Sequence, residues 1–420
     1  MSGMPAPTQD VIVVGAGPGG SAVAAHLARQ GARVLLLDKQ QFPRDKTCGD
    51  ALSPTAARLC RQLGLGEILD RESQPIQGLV FTTPDGAVLR AKASASAGAS
   101  EPARVVPRLV LDDQLRQAAI RAGAEFRGGT WVRGMEQPGE LVRVQAEANG
   151  RELTLEARVA VLAVGANLKL LRDLALVPRR PDHSVAARAY FEGVQREPNQ
   201  LRFHFDGVPL PGYGWIFPLV RGAANVGVGL FGRGSRAPRS AAAALRHFLA
   251  HPPVRAFLDG AVPVGPVRGF PLRTDFHRSP LVRDRLLLVG EAAGLVNPFS
   301  GEGIDYALES AGMAAQALSS FLAGQLSPGQ ALRSYERAMR ARFQRYFQLT
   351  ALMRSVYMNR PGLYALGRAC LRWPELLQLL VEVQLSQQNP WKAFTPRVVL
   401  WILRGLAMRS PAAPAAQGAA

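Results

Sequence analysis

Cysteine is nearly absent: three in 420 residues, Cys48, Cys60 and Cys370. They are too few and too scattered for a disulfide framework or a zinc site, so no metal is expected and a reducing, cytoplasmic compartment fits. Long apolar runs are missing too. None reaches the roughly 18 residues a membrane span needs, so no transmembrane helix is expected. The opening MSGMPAPTQD has neither a basic n-region nor an apolar h-region, and the run after it reads as a strand rather than a leader. Acid is scarce beside base: 32 Asp and Glu against 50 Lys and Arg give a net charge of +18, nearly all of the excess arginine. Nucleic acid is one partner class for such a charge, but no helix-turn-helix, zinc finger or aromatic-interleaved basic strand accompanies it, so none is expected. A peripheral contact with an anionic membrane surface fits better. A GC-rich genome choosing Arg over Lys is the alternative. Nothing here sets an oligomeric state. The length allows two or three structural units with a large core.

What is present is concentrated first in residues 11–39, VIVVGAGPGGSAVAAHLARQGARVLLLDK. Residues 11–14 are a short β-branched run that reads as a buried parallel strand. Gly15, Gly17 and Gly20 follow as G-x-G-x-x-G, residues 21–30 read as a helix, and 32–37 as a second buried strand closed by Asp38. The first glycine makes the tight turn, the second lets a pyrophosphate approach the backbone, and the third lets helix pack on strand. The helix N-terminus offers free N–H groups to phosphate, and the acid stands where a ribose hydroxyl would be. Because strand, helix, strand and acid all flank the glycines, a dinucleotide site is expected over a merely structural turn.

The loop QQFPRDKTCGDALSP comes next and is expected to return over that site, bringing Arg44, Lys46, Cys48 and Gly49 to its edge; a solvated loop is the alternative. Cys60 sits on the apolar face of a helix at 54–63 and reads as core filler. Residues 78–92 read as a hairpin turning at Pro84-Asp85-Gly86, and 91–103 as a low-complexity connection. A helix begins in 105–115 and runs to 122. Arg108 lies near its start, where the dipole disfavours a cation, so an anionic or carbonyl-rich partner is expected, a surface arginine being the alternative. Residues 125–155 read as strands of a small sheet, and 158–164 as another buried strand ending at Gly165, at the edge where ligands sit.

Residues 183–276 differ in texture, with aromatics and glycines alternating through short strands, and read as an inserted antiparallel sheet. Gly227, Gly229 and Gly232 repeat G-x-G-x-x-G, but no helix or acid follows, so a glycine-bearing strand lying against something flat is expected. Tyr213, Trp215 and Phe217 alternate on one strand face, which is either core or the wall of an apolar pocket. Residues 283–289 read as a strand returning to the first unit. The glycine-rich 290–303 and a helix at 304–323 follow, with an N-terminus suited to negative charge on a heterocycle. Beyond 335 the chain is helical, apolar and arginine-studded, either an interfacial helix set or a helical cap.

Four stretches, VIVVGAGPGGSAVA, FPRDKTCGDALSP, GYGWIFPL and LLLVGEAAGLVNPFSGEGIDYALESAGMAA, together resemble the geranylgeranyl reductase family of FAD-dependent oxidoreductases. The wording CGD-x-L and NPF-S-GEGI is most similar to its bacterial menaquinone reductase branch. The resemblance implies an α/β, para-hydroxybenzoate hydroxylase-like fold. A Rossmann-like FAD-binding domain (1–75, 104–180 and 277–345) would carry an inserted antiparallel-sheet substrate domain (76–103 and 181–276). A C-terminal helical region (346–410) and a disordered tail (411–420) would follow. It implies FAD on Gly15, Gly17, Pro18, Gly19, Gly20, Asp38, Lys39 and Arg44, with Arg108 and Gly165 nearby. Cys48 and Gly49 would lie beside the isoalloxazine, and Gly301, Gly303 and Ile304 at its pyrimidine end. It moves Tyr213, Trp215 and Phe217 toward substrate binding. Glu291 departs from the family's usual Asp, and its longer arm needs a shifted loop to reach the ribityl hydroxyls.

The implied reaction saturates C=C bonds of a polyprenyl chain on a lipid or quinone. Hydride would leave flavin N5, and a proton would arrive on the other carbon, with Cys48 and Tyr213 as catalytic candidates on the proton side. An isolated alkene is a poor acceptor, so it must be held within about 3–3.5 Å of N5. The electron donor is NAD(P)H or a redox protein. An aromatic monooxygenase or halogenase is the second reading, although halogenases of this fold usually show W-x-W-x-I-P where this chain has GYGWIFP. A flavin-containing membrane-docking protein without turnover is the third.

Overall fold

The computed structural model describes residues 9–93, 101–177, 183–232, 240–385 and 388–407. The opening eight residues, most of the 91–103 connection, residues 233–239 of the GRGSRAPRS segment and the 411–420 tail lie outside these.

The run QDVIVV forms the strand Gln9–Val14, with Val11, Ile12 and Val13 fully buried. Both faces being covered explains why it shows no alternation. It lies inside an eight-stranded sheet ordered Val282–Arg283, Leu286–Leu288, Arg151–Leu162, Gln9–Val14, Val34–Leu37, Glu125–Arg127. From Leu286–Leu288 to Glu125–Arg127 every neighbour pair is parallel. Val142–Ala148 pairs antiparallel with Arg151–Leu162, and Thr130–Glu136 pairs antiparallel with Val142–Ala148. The helices Pro18–Ala28, Arg108–Arg121 and Ile304–Leu322 contribute buried apolar residues to the same core.

The glycine turn differs in detail from its sequence reading. The helix starts at Pro18, with Gly17 as N-cap, so Gly19 and Gly20 lie in its first turn. Proline is suited to that first position because its fixed φ is helical and its missing N–H has no partner there anyway. The strand expected at 158–164 is the second half of the longer Arg151–Leu162, and the one expected at 283–289 is broken in two. Asp284, at φ 52°, makes that break a turn.

The second sheet has seven strands, ordered Val262–Arg273, His183–Glu192, Ala223–Leu230, Gly212–Leu219, Gln200–His204, Gly78–Thr82, Val88–Lys92. All its pairings are antiparallel except one, between Gln200–His204 and Gly78–Thr82. Those two strands come from different excursions of the chain, so no tight turn dictates their relative direction.

C-terminal to the first unit run the helices Pro328–Tyr357, Arg360–Arg372, Pro374–Gln384 and Pro396–Ala407. Their starts are written in the sequence: Ser327 and Gln330 form a reciprocal capping box, and Asn359 caps the next helix. One continuous helix crosses the boundary drawn at 345/346.

The second G-x-G-x-x-G is a seat for an aromatic ring. A Cβ on Gly227 would stand 2.2 Å from Trp215 Cζ2 and 2.7 Å from the Ala187 carbonyl oxygen. Gly227→Ala is therefore expected to destabilise the protein by about 1–3 kcal/mol as overpacking and to change the near-ultraviolet circular dichroism of Trp215. Urea unfolding and the near-ultraviolet spectrum of the folded variant check this.

Candidate active site

A cavity of about 760 Å³ opens between the two sheets. At one end it is bounded by the glycine turn. Gly15, at φ +102°, has no room for a side chain, since a Cβ would meet the Ala163 carbonyl oxygen at 2.3 Å. Gly17, Pro18 and Gly19 line the cavity. The helix they open has no side-chain cap and no acid in its first turn, so its N-terminal dipole is left for a bound anion. Gly20 is not on the wall. A Cβ there would reach 1.8 Å from the Gly15 carbonyl oxygen, which makes it a packing residue. Asp38 accepts from Ala16 N–H at 2.8 Å and Gln40 N–H at 2.9 Å, bracing the turn, and lines the cavity alongside Lys39, with Arg44 Nε 3.9 Å from its Oδ2.

The loop after Asp38 does return over this site. Arg44 pairs with Asp112 at 2.9 Å, and Arg108 forks onto the same carboxylate at 2.6 and 2.7 Å. The anionic partner expected for Arg108 is thus Asp112, one turn along its own helix. Burial pushes the Asp112 carboxyl up, but Arg108 and Arg44 more than reverse this and hold it below the usual carboxylate range. Asp45 pairs with Arg188, and with Arg268 at 3.2 Å, on the second sheet. Lys46 reaches Glu291 at 2.8 Å. The longer glutamate arm spans this gap, and its Oε1 also accepts from Arg273 N–H at 3.4 Å. A Cβ on Gly165 would sit 3.3 Å from Glu291 Oε2.

The opposite wall is aromatic. Tyr213, Trp215 and Phe217 line the cavity, joined by Phe203 and Phe231, which the sequence reading passed over. Phe203 bridges the stripe, with ring centroids 5.6 Å from Tyr213 and 5.1 Å from Phe217. Such edge-to-face contacts add rigidity beyond their buried area. Leu79, Leu201 and Leu385 complete the apolar lining. Tyr213 donates its hydroxyl to the Ser300 carbonyl, beside Gly301. Gly301, Gly303 and Ile304 sit on the wall below.

Cys48 and Gly49 meet this stripe. A Cβ on Gly49 would stand 3.0 Å from the Phe217 ring. Burial pushes the Cys48 thiol up, although Arg108 and Lys46 pull the other way, so it stays protonated. Behind it lies a hub absent from the sequence reading. Asn225 donates to the Cys48 carbonyl at 2.7 Å and to Asp50 at 2.8 Å, and accepts from the Trp215 indole at 2.9 Å. Tyr190 donates to the same Asp50 oxygen at 2.7 Å. Asp50 is fully buried at φ 65°, a left-handed conformation that aspartate tolerates better than most residues. A lone asparagine inside AANVGVGL was the one signal for this hub, since a buried amide needs partners.

Residues 8–184 match a family model described as an FAD binding domain, and 182–258 one described as a geranylgeranyl reductase catalytic domain. A menaquinone reductase of Mycolicibacterium smegmatis is 35% identical over 329 residues, covering 74% of this chain and 76% of that protein. A digeranylgeranylglycerophospholipid reductase of Methanopyrus kandleri is 31% identical over 304 residues, 71% of this chain and 77% of that one. A geranylgeranyl bacteriochlorophyll reductase-like structure from Thermoplasma acidophilum superposes with TM-score 0.72 at 23% identity, covering 96% of each chain. A myxobacterial chondrochloren halogenase superposes equally well, TM-score 0.72 at 23% identity over 96% of this chain and 97% of that one. At such identities these two show a shared fold.

Burial pushes the Asp50 carboxyl up to about 6, against the pull of Asn225, Tyr190 and the arginines. The native state therefore binds more protons than the unfolded chain between the ordinary value of 3.8 and about 6. Its share of stability is fully present below this window and falls as pH rises through it. Asp50→Asn is expected to flatten that part of the profile, measured by urea unfolding across the same pH range.

Proposed function

This chain belongs to the geranylgeranyl reductase family of FAD-dependent oxidoreductases, and we propose that it saturates C=C bonds of a polyprenyl chain carried on a lipid or quinone. FAD, when bound, supplies the two-electron reducing chemistry. The residues present fit it: a glycine cradle that a side chain would fill, an uncapped helix N-terminus, and Asp38 facing the same space. We assign Gly15, Gly17, Pro18, Gly19, Asp38, Lys39 and Arg44 to its dinucleotide end. Lys46 with Glu291 and Gly165 would hold its middle, and Cys48, Gly49, Arg108, Gly301, Gly303 and Ile304 the ring end.

One observation carries the reading. A single cavity joins the glycine cradle to an aromatic, aliphatic slot walled by Phe203, Trp215, Phe217, Phe231 and Leu385. A slot of this kind sequesters a flexible hydrocarbon from water and holds one bond in place. Tyr213 and Cys48 keep their protons at neutral pH, burial being the first cause for each. Tyr213's hydroxyl is committed to Ser300, which suits it to shaping the slot. The monooxygenase and halogenase reading draws on fold likeness alone, and the segment GYGWIFP stands against it. The electron donor is NAD(P)H or a redox protein.

The helix Pro396–Ala407 favours a peripheral membrane position. Val399, Leu400, Leu403 and Leu406 are exposed on it, beside Arg397 and Arg404. Among the described residues no helix is long and apolar enough to cross a membrane. An apolar stripe edged with arginine suits the headgroup boundary of an anionic bilayer. Replacing Leu400 and Leu403 with Glu is expected to abolish sedimentation with anionic vesicles while leaving bound flavin unchanged.

For the reaction, the purified protein is reduced anaerobically and given menaquinone or a geranylgeranyl lipid. Each saturated bond is expected to add two hydrogens by mass, with recovery of oxidised flavin absorbance. Failure with every prenyl substrate would sink the reading.

A further inference from the structure

Two buried carboxyls, Glu302 and Asp305, stand at the cavity's floor beside Gly301 and Gly303. Glu302 lies on the wall between Gly301 and Gly303, and Asp305 stands three residues on, in the first turn of the helix Ile304–Leu322. Asp305 is 1% exposed, and its Oδ2 accepts from Ser53 Oγ at 2.9 Å. Glu302 Oε2 and Asp305 Oδ1 are both buried, and among the described residues no N–H or O–H group reaches either. Asp305 stands close enough to raise Glu302, so a second negative charge beside the first is disfavoured. Among the described residues neither has an ion-pair partner. The other titratable groups facing them are Glu309, itself paired with Arg342 at 2.9 Å, Tyr213 across the cavity, and Cys60 behind Asp305. None brings a free positive charge to the pair.

Two buried carboxylates side by side without a counter-ion do not both ionise at neutral pH. Burial first, then the proximity of Asp305 and Glu309, raises Glu302 well above the ordinary glutamate value. The helix N-terminus would favour an anion at Asp305, which fits a proton sitting on Glu302 and shared with its neighbour. The pair is thus a store of one exchangeable proton, opening on the space where the alkene must lie.

We propose that Glu302 is the catalytic residue that supplies the proton in alkene saturation, with Asp305 as the positioning residue that keeps it there. This rests on the prenyl reductase reading. In each turnover the π bond breaks and two C–H bonds form. One hydrogen comes with two electrons from the reduced cofactor, which is thereby oxidised. The other is the Glu302 proton, leaving a carboxylate that solvent reprotonates. Tyr213 and Cys48, the candidates read from sequence for this role, would then serve as wall and loop.

The test uses the flavin-loaded protein. Glu302→Gln keeps the shape but carries no transferable proton, and is expected to slow anaerobic reoxidation by a prenyl substrate about 100-fold with unchanged flavin content. Independently of turnover, the infrared difference between wild type and this variant at neutral pH should contain a protonated carboxylic acid band that moves in D₂O. Asp305→Asn removes the neighbouring charge, so Glu302 should lose its proton at lower pH. Its rate profile should shift to lower pH, with activity recovered on acidification. If Glu302→Gln turns over at the wild-type rate, or the infrared band is missing, the proton assignment falls and the reductase reading stands. If the wild type saturates no prenyl substrate, both fall.

Discussion

Arg44, Asp45 and Lys46 each pair with a different part of the molecule: the helix Arg108–Arg121 through Asp112, the second sheet through Arg188 and Arg268, and the Gly290 turn through Glu291. Three alternating charges in succession therefore pin one loop to three bodies. These pairs hold the loop at the cavity's edge. Apart from Arg268, which is half exposed, the paired groups are largely buried, and a charge left unpaired among them would cost several kcal/mol. That penalty makes any other loop position expensive. It explains how a segment with no regular secondary structure of its own holds Cys48 and Gly49 against Phe217 and Trp215.

The same economy runs through the wall behind it. Asn225 ties the Cys48 carbonyl, the Asp50 carboxyl and the Trp215 indole into one network, so loop and aromatic stripe move together. Every member of that network is satisfied, which is the condition under which buried polar groups rigidify a structure. Below it, Glu302 and Asp305 have no positive partner among the described residues. The contrast is chemical. Carboxylates meant to stay ionised, such as Asp112, stand between guanidiniums, whereas the unpaired pair retains a proton.

Much of the fold was legible because short-range patterns wrote it: β-branched runs, glycine spacing, proline and capping residues at helix starts. The dinucleotide turn, the return of the loop 39–50 and the aromatic face of Gly212–Leu219 follow from local rules. Boundaries were less so. The helix starts at Pro18 because the glycines, which favour turns in isolation, are forced into helical packing by the Gly15 carbonyl and Ala163. The parallel pairing of Gln200–His204 with Gly78–Thr82 was hidden because only hairpins announce their direction. Arg108 showed that a polar partner was needed, but not that the partner was Asp112.

By itself the sequence determined a two-sheet flavoprotein scaffold, a phosphate cradle and the residue types of an apolar slot. Tertiary structure alone decided which of them meet. Asn225 and Asp50 are 175 residues apart, Lys46 and Glu291 245, and Ser53 and Asp305 252. Leu385 enters the slot from just past the helix Pro374–Gln384, beyond both matched family segments. Periodicity and spacing report on neighbours within a turn or a hairpin. Burial and charge pairing across such separations are fixed only when whole sheets pack, and it is those contacts that set which carboxyls ionise and which keep a proton.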